Sequence, residues 1–309
     1  MDTRLLRTFT TLARTANFTA AAEELHLAQS TVTVHIRDLE KDLGTRLFDR
    51  LPRGARLTSH GSRLLARAEE VLDAEARLRA VVDDGSPPSG RVVIAAGETL
   101  CSSLLPGVVA GLRADEPGID VQIHAAGTVE AVEGLRSGRV DVALLLEETA
   151  GAPEVTAQVV TRLPLALVAA PGHPLAALDR PVTPTDLTAT DVFLLEEGCS
   201  YSDALARELS VLPGAPRTTR FGSAEATRTC VAAGLGVALL PRVAVDRALS
   251  DGSLTVLDGP GAPDVAVLLA RHRARWASPA VHAVTDALER GLHLDAGAPG
   301  VRRPRPARR

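Results

Sequence analysis

Apolar positions in the first sixty residues recur at helical spacing in three short runs. Leu5, Phe9 and Leu12 share one helical face. Asn17-Phe18 interrupts that run, and Thr19 is the expected N-cap of a second helix from Ala20 to Leu25. After the break His26-Leu27-Ala28 comes a third stripe, Val32, Ile36, Leu39 and Leu43, closed by Gly44 as a C′ residue. This third helix opens on Gln29, Ser30, Thr31, Val32, Thr33, Val34 and His35, mostly poor helix formers: β-branched chains lose rotamer freedom and hydroxyls compete for the backbone. After Leu47-Phe48, "DRLPRGARLT" reads as a hairpin with Pro52, Arg53 and Gly54 at its tip.

From Ser59 to about Asp83 the pattern predicts one long helix. Leu64, Ala68, Val71, Glu75, Leu78 and Val82 run along it in steps of four and three, close to a heptad seam. Packing on its own domain and pairing with a second copy both fit that stripe. "DDGSPPSG", residues 83–90, is a linker. Beyond it the rhythm changes to short apolar strands at 91–96, 119–124, 140–146, 163–170, 191–196, 236–241 and 265–270. Helical stretches lie between them: Leu104 to Asp115, Val129 to Ser137, Ser202 to Leu209, Ala224 to Ala233. Strands alternating with helices predict parallel sheets covered on both faces. The Arg- and Pro-rich end, "GAPGVRRPRPARR", is expected to be disordered.

Length and composition narrow the classes. A chain of 309 residues suggests two domains or slightly more, and 45% hydrophobic residues suffice for a sizeable core. The net charge of −4 excludes nucleic-acid binding over the whole surface but leaves room for a local basic patch. Only 2% of residues are aromatic, too few for single-strand stacking platforms. No secretory signal and no apolar window of membrane-spanning length is visible, so a soluble cytoplasmic protein without membrane contact is expected. Cys101, Cys199 and Cys230 lie far apart, which supports neither a disulfide framework nor a metal site, and no cofactor is expected. Enzyme readings fare poorly. Gly234-Leu235-Gly236 follows a helix instead of a strand, "GCSYS" lacks a second elbow glycine, and His173 reads as a loop residue.

A helix, a short break and a second helix form a helix-turn-helix pattern, whose second helix enters the major groove of double-stranded DNA by its N-terminal end. That explains the unusual helix start. Gln29 can pair with adenine, Ser30 and Thr33 can bond phosphate or base, and Val34 and the methyls of Thr31 and Thr33 can pack on a thymine methyl. Ser30, Thr33, Val34, Arg37 and Lys41 lie opposite the apolar stripe, and Arg50, Arg53 and Arg56 would form a basic wing. A small helical subdomain with a polar surface remains the alternative on pattern alone.

The stretch "ANFTAAAEELHLAQSTVTVHIRDLEKDLGTRLFDRLPRGARLTSHGSRLL" resembles the N-terminal signature of LysR-type transcriptional regulators. The likeness is carried by the paired alanines before Glu-x-Leu, Gln29, Thr33, Ile36, Leu39-Glu40, Leu43-Gly44, Leu47-Phe48, Arg50, Leu57-Thr58 and Gly61. "SGRVVIAA", "GRVDVALLL", "PGHPLA" and "SAEATRTCVAAGLGVALLP" resemble the sensing domain of the same family, so the likeness spans Leu5 to about Leu292. It implies an α/β protein with an N-terminal winged helix-turn-helix over 1–58 and a dimerising linker helix over 59–84. A hinge at 85–90 and an effector-binding domain over 91–292 would follow, then the tail at 293–309. The sensor would consist of two Rossmann-like subdomains resembling type 2 periplasmic binding proteins, one at about 91–161 and 266–292, the other at about 162–265. Family resemblance also implies self-association to dimers or tetramers, promoter DNA and RNA polymerase as partners, and a small-molecule effector. Two departures stand out: Ala28 where the family often has Ser or Thr, with Ser30 as the alternative cap, and Val34 where many members carry Arg.

Ligands of open parallel sheets sit beyond the carboxyl ends of strands. That places Thr99, Leu100, Ser102 and Thr128 at a cleft, with Ser200, Tyr201 and Phe221 facing them from the second subdomain. Helix N-termini there suggest a small anion, although Glu98 and Glu197 would oppose one. Cys101, at a helix start, invites a lowered thiol pKa, and thiol-based redox sensing is an alternative. A solute-binding module with a vestigial DNA-binding head is another.

Overall fold

The computed structural model describes residues 2–51, 54–82, 87–259 and 264–295, with the side chains at 50, 51, 77, 79–82 and 293–295 left aside. Pro52 and Arg53, most of the linker and the tail from 296 lie outside the described residues. The chain divides into two units: Met1–Pro87 with Arg136–Arg139 and Ala274–Pro279, and Pro88–Leu135 with Val140–Arg273 and Ala280–Arg309.

The first unit is built from α1 (Thr3–Thr15), α2 (Phe18–Leu25), α3 (Gln29–Leu43), a hairpin of β1 (Phe48–Leu51) and β2 (Gly54–Leu57), and the long α4 (Ser59–Val82). Asn17, not Thr19, caps α2: its Oδ1 accepts the Thr19 and Ala20 N–H groups at 2.8 and 3.2 Å. An amide oxygen one bond from Cβ reaches the first free N–H groups of the helix, and this starts it at Phe18. All three short helices end on a left-handed residue, Ala16, His26 and Gly44.

Their shared core joins Leu6, Phe9 and Leu12 of α1 to Ala21 and Ala22 of α2 and to Val32, Ile36 and Leu39 of α3. Leu6 takes the fully buried place that the sequence spacing gives to Leu5, which packs at its edge, and Leu43 at the end of the stripe is exposed. The Phe9 and Phe48 rings meet at 5.5 Å and tie the hairpin to α1. The hairpin also docks on Ala16, whose carbonyl accepts the Ala55 N–H at 2.8 Å. Gly54 stands at φ +140°, and a Cβ there would lie 2.5 Å from that carbonyl. The stripe of α4 divides. Leu64, Leu65, Ala68 and Leu72 pack on the helical core, whereas Val71 and Leu78 are 40% and 70% exposed.

The second unit holds two five-stranded sheets. The first is ordered β4 (Ile119–Ala125), β3 (Gly90–Ala96), β5 (Val142–Leu146), β12 (Val265–His272), β6 (Val155–Leu163). The second is ordered β11 (Thr255–Val256), β7 (Leu165–Ala169), β10 (Val237–Pro241), β8 (Val192–Leu194), β9 (Thr218–Arg220). Their centres are parallel, β3 with β4 and β5, β8 with β9 and β10. The sheets as wholes are mixed, which corrects the all-parallel expectation: β12 runs antiparallel to β5 and β6, and β7 antiparallel to β10 and β11. The reason is topological. β6 leads the chain from the first sheet to the second and β12 brings it back, so the two must run in opposite directions.

Helices α5 (Glu98–Ser103), α6 (Leu105–Asp115), α7 (Thr128–Ser137), α8 (Ser200–Ser210), α9 (Ala224–Ala232), α10 (Arg242–Ser250) and α11 (Pro279–Asp295) cover the sheets. Each sheet closes its own apolar core, one around Leu135, Val140 and Leu268, the other around Leu187, Val192 and Val237. No described helix is long and apolar enough to cross a membrane.

Candidate nucleic-acid interface and ligand cleft

In the first unit, α3 is held by its buried face and presents the other. Val32, Ile36 and Leu39 are 0–1% exposed, so the opposite residues must point outward. Gln29, Ser30, Arg37 and Lys41 are exposed, Val34 is 50% exposed, and Thr31 and Thr33 are half-buried. The Thr33 hydroxyl bonds the Gln29 carbonyl at 3.1 Å, so what this residue offers outward is its methyl and a lone pair. Ala28 takes the N-cap place without any side-chain cap bond, and Ser30 does not replace it. Arg56 is exposed on β2, where the strand register sets it beside Asp49. Arg50 lies on β1, its side chain not described, and Arg53 falls outside the described residues. Arg37, Lys41 and Arg56 form no ion pair among the described residues, so their cationic ends are open to solvent.

Three polar contacts that the sequence reading did not single out position this surface. Buried Thr8 donates its hydroxyl hydrogen to the Arg4 carbonyl at 2.9 Å, which leaves a lone pair for His35 Nδ1, also at 2.9 Å. The contact between the Thr8 hydroxyl and the ring pins the first turns of α3 to α1. Glu40 Oε1 accepts the Leu47 and Phe48 N–H groups at 2.8 and 3.3 Å and fixes the hairpin against the far end of α3. Thr58 caps α4, receiving the Gly61 N–H at 3.0 Å. A Cβ at Gly61 would lie 2.3 Å from the Leu47 carbonyl, so helix and hairpin can pack this closely only around glycine.

In the second unit, a cavity of about 210 Å³ opens where the strands end. Gly97–Thr99 follow β3, Ala126–Glu130 follow β4, Glu147 follows β5, and Leu195–Cys199 follow β8, with Tyr201 on α8 and Ala224 at the start of α9. That space suits a ligand of metabolite size. Thr99, Thr128 and Tyr201 line it. The other candidates do not. Leu100 is fully buried in the core. Ser102 turns back to the carbonyls of Glu98 and Thr99 because the chain makes the extra short helix α5 before α6. Phe221 stacks on Phe193 with ring centres 6.1 Å apart. Ser200 donates to the Leu146 carbonyl at 3.1 Å and so ties α8 to the end of β5.

The cavity is acidic. Glu98, Glu130, Glu147, Glu196 and Glu197 line it, and no Lys, Arg or His does. None of the five is in an ion pair among the described residues. Two of these carboxylates already bond groups at helix starts, one at Thr128, which the sequence marks, and one at α9, which it does not. Glu98 accepts the Ala224 N–H of α9 at 3.0 Å, and Glu147 accepts the Thr128 hydroxyl at the start of α7 at 3.0 Å. At α9 the helix dipole is met by the protein's own carboxylate. The acidity of the lining works against the anion that the helix starts suggest. Burial pushes the Glu147 pKa up, and the hydrogen bonds from Thr128 and Ser200 pull the other way.

Neither Cys199 nor Cys101 is activated. Burial drives Cys199 up to about 12, and burial with the Glu98 charge also raises Cys101, opposite to the lowering expected at a helix start. Tyr201 is buried, and its Oη has no hydrogen-bond partner. Burial first, then the neighbouring Cys199, raises its pKa well above the usual phenol value. The Cys199 thiol lies beside that oxygen, short of strict hydrogen-bond geometry, and its contact and its charge both raise the Tyr201 pKa. No group of residues suited to a metal ion occurs among the described residues.

Comparison with known proteins agrees with this two-part layout. Residues 3–62 match the model of the bacterial regulatory helix-turn-helix protein, lysR family, and residues 85–292 match the LysR substrate binding domain. The transcriptional regulator CbbR of Xanthobacter flavus is 31% identical over 93% of this chain and 87% of its own length. A Mycobacterium avium protein named "Probable hydrogen peroxide-inducible genes activator" is 34% identical over 78% of each chain. Among solved structures, a full-length OxyR cysteine-to-aspartate variant from Pseudomonas aeruginosa superposes with a TM-score of 0.78. It is 26% identical and covers 95% of both chains.

Proposed function

The chain belongs to the LysR family of DNA-binding transcriptional regulators with an effector-binding domain, and on that premise we propose how its parts divide the work. The α3 face of Gln29, Ser30, Thr31, Thr33, Val34 and Arg37 reads the major groove of operator DNA. Arg50, Arg53 and Arg56 hold the backbone or minor groove from the hairpin. The observation that carries this is the exposed polar face of α3 opposite a fully buried one. Members of the family oligomerise. In this chain the exposed Val71 and Leu78 of α4 supply the seam of a dimer, dimers associate to tetramers, and the assembly works in the cytoplasm beside RNA polymerase. The effector occupies the cavity between the two sheets of the second unit, with Thr99, Thr128 and Tyr201 among its contacts. It acts only if it binds the two arrangements of the sensor with different affinity.

Peroxide sensing, which the Mycobacterium avium relative's name raises, needs a ready thiolate, and burial holds Cys199 and Cys101 as neutral thiols. Fluorescence anisotropy on the DNA upstream of the chain's own gene, against scrambled DNA, tests the main reading. A clear preference for the upstream or a selected sequence supports it. Equal affinity for every duplex, after selection from random DNA, refutes it.

A further inference from the structure

The effector cavity has two features that together define what fits it. Every ionisable lining side chain other than Cys199 and Tyr201 is a glutamate. Glu98, Glu147 and Glu196 are half-buried, where charges are screened less than at the surface. Arg220 is near in sequence to the α9 start but is spent elsewhere, on the Leu195 carbonyl at 2.9 Å and the Asp203 carboxylate at 2.8 Å. It is not part of the lining. The second feature is Tyr201, a residue of the cavity lining whose buried Oη has no partner in hydrogen-bond geometry. A buried hydroxyl without a partner costs free energy comparable to a lost hydrogen bond, so its place at the cavity wall points to a ligand that completes it.

We propose that the effector is a small organic cation, a compound carrying an ammonium or guanidinium group. This rests on the reading of the cavity as the effector site. The cation's N–H groups donate to the Glu147 and Glu98 carboxylates and to the Tyr201 oxygen, while Glu196 and Glu197 add attraction from the loop after β8. A carboxylate ligand would meet the same five glutamates as repulsion, and at the start of α9 would have to displace Glu98 from the Ala224 N–H.

The test is isothermal titration calorimetry on the full chain with pairs of nearly equal shape and different charge. L-arginine is compared with L-citrulline, L-lysine with L-norleucine, and putrescine with succinate. The expected result is binding of at least one cation about tenfold or more tighter than its uncharged or anionic counterpart, which corresponds to about 1.4 kcal/mol. Affinity should fall about tenfold again in Glu147→Gln and in Tyr201→Phe, with melting curves showing both variants folded. Succinate binding in place of the cations, no cation binding at millimolar concentration, or unchanged affinity in both variants overturns the proposal. Operator binding measured on the same samples separates the two levels: sequence-specific DNA binding with an anion in the cavity leaves the regulator intact and refutes the cation alone.

Discussion

The Glu98 carboxylate accepts the N–H of Ala224 at 3.0 Å, so a side chain at the end of β3 caps a helix carried by the other sheet. The bond spans the ligand cavity and joins its two walls. It satisfies one of the free N–H groups of α9 with an anion, which the helix dipole favours. Glu98→Ala should therefore lower stability by about 1 kcal/mol in urea titrations, and Glu98→Gln by less, because the amide oxygen keeps an acceptor there. Equal midpoints for wild type and Glu98→Ala would show that the bond contributes nothing.

Glu147 gives a prediction of opposite sign. Its pKa is raised by burial, so the native state holds the proton more tightly than the unfolded chain. Stability from this group is present below the ordinary carboxylate pKa and is lost as pH rises through the raised value. At neutral pH the ionised, partly desolvated carboxylate costs stability, and Glu147→Gln should raise the melting temperature of the ligand-free protein. The gain should vanish near about pH 4, where wild type is protonated too. A lower melting temperature at pH 7 would mean that the bonds from Thr128 and Ser200 outweigh burial.

Ala28 begins the recognition helix with extended backbone angles suited to a cap and no side-chain oxygen to make one. Ala28→Ser should add about 1 kcal/mol to stability. Thermal melts decide this, and an unchanged midpoint would show that the N2 and N3 amides are satisfied otherwise.

Cys199 should be inert. With its pKa near 12 against 9.0 for an ordinary thiol, the thiolate fraction at pH 8 falls about a thousandfold. Iodoacetamide should modify it far more slowly in the folded protein than in denaturant, and peroxide should leave DNA binding unchanged. Rapid labelling, or a peroxide-dependent change in operator affinity, would restore redox sensing.

On the DNA side, Val34 and Arg56 should separate. Val34→Ala removes an exposed methyl pair and should cost sequence preference with little loss of stability. Arg56→Ala should weaken all duplexes alike and reduce the salt slope by about one. Anisotropy across salt concentrations reads both; the reverse pattern would move base reading to the hairpin.

The fold was largely legible because its signals are periodic. Val32, Ile36 and Leu39 mark a helix face that is buried as the spacing requires, and the strands stand out as apolar runs at 92–96 and 265–270 and as an apolar-polar alternation at 119–124. What stayed hidden has no such rhythm. β6 is exposed at four consecutive positions, Thr156 to Val159, because it is an edge strand. The short α5 after Gly97 shifts Ser102 off the cavity and puts Leu100 into the core, and a six-residue helix is too brief to show a period. Glu147 was missed although it stands where ligands gather, just past an apolar strand. Its pairing with Thr128 joins residues 19 apart, a contact that sequence spacing does not reveal. The acidity of the cavity is likewise a property of four loops brought together by the fold.

The central claim is that occupancy of the acidic cavity changes how the head holds DNA. The most direct measurement is operator affinity by anisotropy, with and without the cation selected by calorimetry, in wild type and in Tyr201→Phe. The account predicts a several-fold change in operator affinity for wild type and a much smaller one for Tyr201→Phe at the same cation concentration. A cation that fills the cavity yet leaves wild-type operator affinity unchanged would contradict it.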